Sequence, residues 1–276
     1  MRLLIFTLGC LVFGNLFCAN DQEKWLVYYN DKAPIEAFDP YSLIVLDSDF
    51  HPSIKALKEN GKILLGYINL GEVAKEREWY ESVKKDGILL QENENWPGSY
   101  LVDVRSPKWI KRVIEELIPQ LLHKGFDGIF MDTLDNPGFL EAENLQKYRG
   151  MVQGAANLVK AIRLHYPNIP IMMNRGYEVL PLVANDIDII VAEDAVTTYD
   201  FKNKKYLWQP KEQVERQVKI LDEAKKVNPN LKLFALDYWY PDQPEEIIKI
   251  YQIDRDNGLD PYVGTIDLDV IVPEPK

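Results

Sequence analysis

Cysteine is nearly absent from this sequence. The 276 residues contain two cysteines, Cys10 and Cys18, and both lie in an apolar segment close to residue 1. A domain that follows this segment cannot form an internal disulfide, so its hydrophobic core alone must hold it together. The same scarcity disfavours a cysteine nucleophile.

Histidine is scarce as well, and several common catalytic motifs are missing. The three histidines, His51, His123 and His165, follow no metal-ligand spacing. The chain has no Gly-x-Ser-x-Gly sequence for a serine nucleophile, and no Gly-x-Gly-x-x-Gly or Gly-Lys-Ser/Thr loop for a nucleotide. We therefore expect neither a metal nor another cofactor.

Basic residues are outnumbered by acidic ones. The chain has 43 Asp and Glu against 32 Lys and Arg, which gives a formal net charge of −11. A negative surface repels nucleic acids and anionic membranes, so we expect neither as a partner. It is compatible with a cationic ligand. We expect a monomer.

A long apolar run occurs near residue 1. Arg2 precedes the run Leu3 to Phe17, and the polar sequence Ala19-Asn20-Asp21 follows Cys18. This pattern predicts a signal peptide over residues 1–19 and a domain over residues 20–276. The run is shorter than the roughly 20 residues that span a bilayer, so we expect no membrane insertion of the mature chain. The prediction is a secreted or cell-envelope protein (periplasmic or extracellular), with a lipid anchor at Cys18 as the alternative.

Strand-like apolar runs alternate with helical patterns along the rest of the chain. Most of the runs are continuous rather than alternating, as is typical of parallel strands covered on both faces. Together they predict an α/β protein, a single (β/α)8 TIM barrel, with an open doubly wound sheet as the alternative. The predicted strands are 25–29, 43–47, 63–69, 128–132, 169–174, 187–193, 232–238 and 262–267.

The helical patterns have recognisable boundaries. Ser106 and Pro107 predict the start of a helix that ends at Gly125, with a kink at Pro119. Further apolar stripes predict helices over 148–162 and 214–227. The segment 70–105, after the third strand, is longer than an ordinary βα loop and predicts an enlarged loop over the barrel mouth.

Polar side chains follow most of the predicted strands. A single strand-end carboxylate is usually a helix N-cap, but several in succession indicate a polar site at the carboxyl edge of a parallel sheet. Aromatic residues occur beside them, including the run Tyr238-Trp239-Tyr240. Paired acids with aromatic surfaces that stack on sugars are typical of glycosidases. The strand-end polar residues are Asp47, Asp132, Asn174, Glu193, Asp237 and Asp267.

Blocks of sequence around these positions resemble glycoside hydrolase family 114, the endo-α-1,4-polygalactosaminidases and their bacterial relatives. The most specific is Gly125-Phe126-Asp127-Gly128-Ile129-Phe130-Met131-Asp132-Thr133-Leu134-Asp135; the others are Gly66-Tyr67-Ile68-Asn69-Leu70-Gly71-Glu72 and Val191-Ala192-Glu193-Asp194. The resemblance extends over nearly the whole mature chain. It implies a TIM barrel that hydrolyses α-1,4-linked galactosamine polymers.

The resemblance also implies roles for particular residues. Asp132 matches the nucleophile after strand four, and Glu193 matches the acid/base after strand six, although Asp194 adjoins it. Successive strand residues point to opposite sides, so an inward Glu193 would leave Asp194 outside. A retaining pair would place the two carboxyl groups roughly 5–5.5 Å apart. We expect Glu193 to be protonated near neutral pH and Asp132 to be ionised, with hydrogen bonds from Asn174 or Tyr67.

The predicted partner is a polysaccharide, bound by side chains around this pair. Two other functions stay open: a glycosidase for a different α-glycan, such as an α-galactoside or a cell-envelope polymer, and a carbohydrate-binding barrel without turnover. The candidate substrate-binding residues are Tyr29, Asp47, Asp49, Tyr67, Asn69, Glu72, Asp135, Asn174, Asp237, Trp239 and Asp267.

Overall fold

The structure is a computed structural model that describes residues 23–276. The predicted signal peptide and the lipid anchor at Cys18 lie outside the described residues. In chain order the strands are β1 (Trp25–Tyr28), β2 (Leu43–Leu46), β3 (Ile63–Asn69), β4 (Glu72–Ala74), β5 (Leu89–Glu92), β6 (Ser99–Val102), β7 (Gly128–Asp132), β8 (Ile171–Asn174), β9 (Ile189–Glu193), β10 (Thr197–Asp200), β11 (Lys205–Trp208), β12 (Lys232–Tyr238) and β13 (Asp260–Gly264).

Eight of these strands form one parallel sheet in the order β1-β2-β3-β7-β8-β9-β12-β13. The two edge strands come together, since the Trp25 indole N–H donates to the carbonyl of Asp260 at 2.9 Å. The backbone N–H of Tyr29 likewise donates to the carbonyl of Leu268 at 2.8 Å. The sheet is therefore a nearly closed barrel. The (β/α)8 prediction is confirmed, and the open doubly wound alternative is wrong.

Strand burial explains why the apolar runs are continuous. Every residue of β1, β2 and β8 is buried, because one face of each strand fills the barrel interior and the other packs on the helices. All eight predicted strands are present, with ends that differ by a few residues. The helical layer comprises α1 (Ile54–Glu59), α2 (Tyr80–Asp86), α3 (Pro107–Arg112), α4 (Ile118–Lys124), α5 (Asn136–Glu143), α6 (Leu145–Tyr148), α7 (Met151–His165), α8 (Leu180–Val183), α9 (Lys211–Val227) and α10 (Pro244–Asp256). Within residues 23–276, no helix has the length and apolar character needed to cross a membrane.

One helix prediction needs correction. The stripe over 148–162 is not one helix, because Gly150 adopts φ of 86° and separates α6 from α7. The proline at 119 is accommodated by a π-helical turn over Val113–Leu117, between α3 and α4. A wider turn keeps the preceding carbonyls away from the pyrrolidine ring, which the α-helical spacing would bring into contact.

The segment after β3 is an insertion with its own sheet. Strands β4, β6 and β5 pair antiparallel in that order, and α2 packs beside them. The enlarged loop after the third strand is thereby confirmed. A second insertion, the antiparallel hairpin β10–β11, follows β9. The sequence patterns did not predict it.

The Gly-Phe-Asp-Gly block before β7 is structural. The Asp127 carboxylate accepts the backbone N–H of Leu64 at 2.9 Å and the Lys58 ammonium at 2.7 Å. A Cβ on Gly128 would lie 2.1 Å from the carbonyl oxygen of Pro170, so only glycine fits there. This block fixes the start of β7, and thereby the position of Asp132 at its end.

Candidate active site

Asp132 is the last residue of β7 and projects into a cavity of about 540 Å³ at the carboxyl ends of the strands. The hydroxyl of Tyr67, from the neighbouring strand β3, donates to Oδ2 at 2.7 Å. The amide nitrogen of Asn174, from β8 on the other side, donates to Oδ1 at 3.0 Å. Both oxygens therefore accept a hydrogen bond, and the two donors are the residues expected from the sequence.

Glu193 is the last residue of β9 and lines the same cavity. The Asn174 amide donates to Oε2 at 2.7 Å, and the hydroxyl of Tyr238 donates to Oε1. Burial is the largest influence on this carboxyl, followed by the negative charge of Asp132. Together they raise the pKa of Glu193 from its ordinary 4.5 to about 7, against the opposing effect of the two hydrogen bonds.

One amide joins the two carboxylates. Asn174 is buried, and both carboxylates contact its side-chain nitrogen, which must face them because each is an acceptor. Oδ1 of Asp132 and Oε2 of Glu193 both accept from this nitrogen, at 3.0 and 2.7 Å. The distance between the two oxygens therefore cannot exceed the sum of these two lengths. The predicted proximity of Asp132 and Glu193, and their inward direction, are thus present in the structure.

Asp194 faces away from this pair and does not line the cavity. Its carboxylate accepts from the Thr198 hydroxyl at 3.3 Å and lies 3.9 Å from the Arg175 guanidinium. Burial raises its pKa to about 6, which Arg175 partly opposes. Strand parity separates the two neighbouring acids as expected, and Glu193 is the one that reaches the cavity.

The backbone takes an unusual turn after each of these strand ends. Thr133, Arg175 and Asp194 directly follow Asp132, Asn174 and Glu193, and their φ values are 62°, 47° and 56°. Non-glycine residues in this left-handed region carry a strain of roughly 1–3 kcal/mol each. The turn ends each strand sharply and leaves the preceding side chain directed into the mouth.

The wall on the β3 side is built around Glu72. This carboxylate is buried and accepts from Asn93 at 2.7 Å, Ser99 at 2.6 Å and Asn136 at 2.8 Å. Its three donors come from the insertion and from the start of α5, so it ties the insertion to the barrel. Asn69 accepts the backbone N–H of Glu72 at 2.8 Å, and both residues line the cavity.

Gly71 explains why this wall sits so close to β7. Its backbone N–H donates to the Thr133 hydroxyl at 2.8 Å. A Cβ at this position would lie 2.2 Å from the Thr133 carbonyl oxygen. The glycine between Asn69 and Glu72 therefore permits the close approach that brings both side chains beside Asp132.

Most of the other predicted binding residues also line the cavity. Asp135 pairs with Arg175 at 2.9 Å and accepts the backbone N–H of Gly176 at 2.9 Å. Asp47 pairs with Arg77 at 3.1 Å. Predicted residues that the structure brings to this cavity are Tyr29, Asp47, Tyr67, Asn69, Glu72, Asp132, Asp135, Asn174, Glu193 and Asp267.

Three predicted binding residues do not line this cavity, and for Asp237 and Trp239 the prediction is wrong. Asp49 lines a smaller adjoining cavity that shares Tyr67 and Asn69 with this one, and it pairs there with Lys124 at 2.7 Å and with Arg77; its role in binding stays a prediction. Asp237 is fully buried and accepts the backbone N–H groups of Val196 at 3.0 Å and Thr197 at 2.7 Å. It therefore anchors the loop after β9 rather than a sugar.

Trp239 is the third of these residues. Its ring packs against those of Trp208 at 5.2 Å and Tyr206 at 6.2 Å, beneath the β10–β11 hairpin. The reason is again strand parity. Leu236 pairs in register with Glu193 and lines the cavity, so Asp237 and Trp239 point outward while Tyr238 points inward.

Several residues of the site were not predicted individually. Tyr238 binds Glu193, and its inward parity with Leu236 was the available signal. Arg175 and Thr133 follow the strand-end residues and carried no pattern of their own. Trp96 lines the cavity from the turn between β5 and β6. Among residues 23–276, no cluster of three or more His, Cys, Asp or Glu side chains could hold a metal ion.

An eight-stranded α/β barrel with two adjacent carboxylates in its mouth has the architecture of a glycoside hydrolase. The model of glycoside-hydrolase family GH114 matches residues 17–275, and the chain belongs to this family. The family resemblance of the sequence is confirmed, and the protein is a glycoside hydrolase.

Known proteins show the same likeness. An uncharacterised protein of Thermotoga maritima is 23% identical over 275 residues, which cover 90% of this chain and 82% of that protein. The glycoside hydrolase domain of PelA from Pseudomonas aeruginosa superposes with a TM-score of 0.79 at 23% identity, covering 91% of this chain and 98% of that one. Ega3 from Aspergillus fumigatus, in complex with galactosamine, has a TM-score of 0.62 at 17% identity, with 94% and 99% coverage. These structural likenesses support the barrel fold.

Proposed function

We propose that this glycoside hydrolase cleaves an α-linked polysaccharide rich in amino sugars, in the manner of an endo-α-1,4-polygalactosaminidase. Asp132 attacks the anomeric carbon and forms a glycosyl–enzyme intermediate. Glu193 protonates the leaving oxygen and then, as a base, activates the water that releases the product. The observation that carries this proposal is the single Asn174 amide that binds both carboxylates.

The spacing of the pair favours retention over inversion. Inverting enzymes need roughly 6.5–9.5 Å between the carboxyl groups to admit a water, and retaining enzymes roughly 5–5.5 Å. The two oxygens that share the Asn174 donor are separated by at most the sum of its hydrogen bonds, 3.0 and 2.7 Å, and this close approach of the oxygens supports the retaining arrangement. Direct attack by Asp132 is the chemistry that this spacing permits.

The surroundings of the two acids divide their roles. A general acid must hold its proton near the working pH, and burial together with the charge of Asp132 raises the pKa of Glu193 to about 7. A nucleophile must stay ionised, and Asp132 accepts one hydrogen bond on each oxygen, from Tyr67 and Asn174. Arrangements of this kind separate the acid from the nucleophile.

The charge of the cavity supports an amino-sugar substrate. Besides the catalytic pair, the carboxylates of Asp47, Glu72, Asp135 and Asp267 line it. Arg77 and Arg175 pair with Asp47 and Asp135, so acidic groups still outnumber the basic ones. Such a cluster attracts the ammonium group of a deacetylated galactosamine. The GH114 membership and the galactosamine bound to Ega3 point to the same sugar class.

The test is the hydrolysis of defined α-1,4-linked galactosamine oligosaccharides, with the product anomer followed by proton NMR. We expect the α-anomer to form first and then to mutarotate. A first product with the β configuration would overturn the retaining mechanism. Cleavage of neutral α-galactans alone would change the substrate, and binding without any cleavage would leave a carbohydrate-binding barrel.

We also propose that the protein is exported to the cell envelope or beyond, on the basis of the charged start and apolar run of residues 2–17. Mass spectrometry of the protein isolated from its own cells tests this. A mature chain that begins at Asn20 supports a cleaved signal peptide. A lipid-modified Cys18 at the new N-terminus would establish the anchored alternative, and an uncleaved chain in the cytoplasm would overturn export.

A further inference from the structure

Two insertions of the barrel meet through a pair of aromatic rings. Trp96 lies in the turn between β5 and β6, and Phe201 lies in the turn between β10 and β11. Their ring centroids are 5.4 Å apart at an interplanar angle of 79°. Both segments are insertions that a barrel does not need in order to fold. We therefore looked for a role of this contact in the active site at the barrel mouth.

The order of the strands places this contact above the catalytic sector. The first insertion follows β3 and the second follows β9, and β7 and β8 lie between them in the sheet. These two strands carry Asp132 and Asn174. A contact between the insertions therefore extends across that sector, and Trp96 lines the cavity beneath it.

The two rings stay largely open to solvent despite their contact. Trp96 is 50% exposed and Phe201 is 42% exposed. Rings that serve only to hold two loops together gain most when they are buried, and exposed apolar surface that adjoins a cavity typically marks a binding site. The contact with Phe201 leaves half of Trp96 available.

Both turns are held in place by hydrogen bonds before any ligand binds. Ser99 donates its backbone N–H to the carbonyl of Trp96 at 3.0 Å, and Gly98 donates to the Glu92 carboxylate at 2.7 Å. On the other side, Asn203 donates its backbone N–H to Asp200 at 3.0 Å. Turns whose backbone is fixed in this way lose little conformational entropy when a ligand stacks on the rings that they carry.

We propose that Trp96, supported by Phe201, forms a glycan-binding subsite outside the catalytic pair, on which a sugar ring of the polymer stacks. The proposal rests on the proposed function and adds where the chain runs beyond the scissile bond. The C–H face of a pyranose packs on an indole face, and the ammonium group of an amino sugar is attracted to the same face. The occupant is the part of the polysaccharide that continues out of the cavity.

A subsite of this kind acts on long substrates and not on short ones. We would measure kcat and KM for galactosamine oligosaccharides of increasing length and for an activated aryl α-galactosaminide. In Trp96→Ala, KM for the long oligosaccharides should rise by about 2- to 10-fold with kcat at saturation unchanged. The aryl substrate should be cleaved as by the wild type. Trp96→Phe, which keeps a ring, should recover most of the affinity.

Further variants separate binding from folding. Phe201→Ala should give a smaller change in the same direction, because it removes only the supporting ring. Phe50→Ala is the control, an exposed aromatic residue that does not line the cavity, and should leave KM unchanged. Should Trp96→Ala misfold, judged by its thermal unfolding, Trp96→Phe and Phe201→Ala still test the subsite.

The outcomes distinguish the two proposals. If the wild type cleaves the oligosaccharides but Trp96→Ala keeps its KM at every length, the subsite is overturned and the proposed function stands. Equal losses on the aryl substrate and on the long oligosaccharides would show a structural role and would also overturn the subsite. If the wild type cleaves none of these substrates, the proposed function fails and the subsite fails with it.

Discussion

Two pairs of carboxyl groups lie on opposite faces of the barrel sheet. Asp132 and Glu193 meet in the barrel mouth, whereas Asp237 of β12 faces Asp254 of α10 in the layer between barrel and helices. Burial is the main influence that raises the pKa of Glu193 in one pair and of Asp254 in the other. In each pair a neighbouring carboxylate adds to the effect. The same physics thus acts on both.

The pairs differ in their access to a substrate. The catalytic pair lines a cavity of about 540 Å³, while Asp237 and Asp254 have no exposed surface. Both oxygens of Asp254 and one of Asp237 have no N–H or hydroxyl donor among residues 23–276. Their carboxyl groups approach closely enough for a protonated Asp254 to donate to Asp237. A raised pKa therefore marks a catalytic acid only where a cavity accompanies it.

Substitution of Asp132 should cause the largest loss of activity. Asp132→Asn keeps the shape but removes the negative charge that attacks the anomeric carbon, so kcat should fall by roughly 10³-fold or more while glycan binding is largely retained. Steady-state kinetics and calorimetric binding measure the two. Asp222→Asn, at the exposed surface of α9 and away from the cavity, is the matched control and should keep its activity. Near-normal turnover in Asp132→Asn would show that the mouth pair is not catalytic.

Glu193→Gln should be nearly as damaging for natural leaving groups, by about 10²–10⁴-fold, because the leaving oxygen loses its proton donor. The deficit should be much smaller on an activated aryl glycoside, whose leaving group needs little protonation. Comparison of kcat/KM for the two substrates measures this. An equal deficit on both would assign Glu193 a role other than general acid.

The pH dependence of kcat/KM should report the ionisation of Glu193. Glu193 must be protonated in the free enzyme, and its pKa is raised to about 7. The wild-type kcat/KM should therefore fall by about tenfold per pH unit above that pH. This fall of kcat/KM above pH 7 should be absent when the Glu193→Gln variant hydrolyses the aryl substrate. A profile that stays flat through pH 7 and above would contradict the proton-donor role.

The smallest expected effect is a change in the stability of the fold, and it comes from the buried pair Asp237 and Asp254. Burial, then the charge of Asp237, raises the folded-state pKa of Asp254. The native state binds this proton more tightly than the unfolded state does. The stability it contributes is thus complete below the ordinary Asp pKa of roughly 4 and is lost as the pH rises through the folded value.

Asp254→Asn replaces the proton with a permanent amide donor to Asp237. The variant should gain stability relative to the wild type as the pH rises from about 5 to about 8, with a Tm difference of about 2–4 °C for each kcal/mol. Thermal unfolding at both pH values measures it, and glycosidase activity should be unchanged. A Tm difference independent of pH would show that the wild-type pair holds no extra proton.

The barrel could be predicted because its strands are continuous apolar runs with polar ends. Asp132, Asn174 and Glu193 were found for the same reason. The parity that assigned Glu193 inward and Asp194 outward applies equally to β12, and there it places Tyr238 inward and Asp237 outward. Asp237 was misassigned because a carboxylate at a strand end has the same sequence appearance on either face.

Other features depend on distant partners that the sequence does not reveal. The antiparallel strands of the insertion are held by Glu72, whose three donors lie 21, 27 and 64 residues away from it in the chain. The contact between Trp96 and Phe201 joins residues of two separate insertions. Asp49 resembles its neighbour Asp47 in sequence, but it pairs with Lys124 and lies outside the cavity of Asp132 and Glu193. No local pattern contains these pairings.

The left-handed residues after β7, β8 and β9 have a consequence for protein engineering. An idealised barrel would place glycine at 133, 175 and 194, where φ is positive, and would relax the backbone. It would also discard the Thr133 hydroxyl beneath Gly71 and the Arg175 guanidinium beside Asp135. Selection for thermostability alone should therefore drift toward glycine at these positions and lose activity, whereas selection for turnover should keep the side chains.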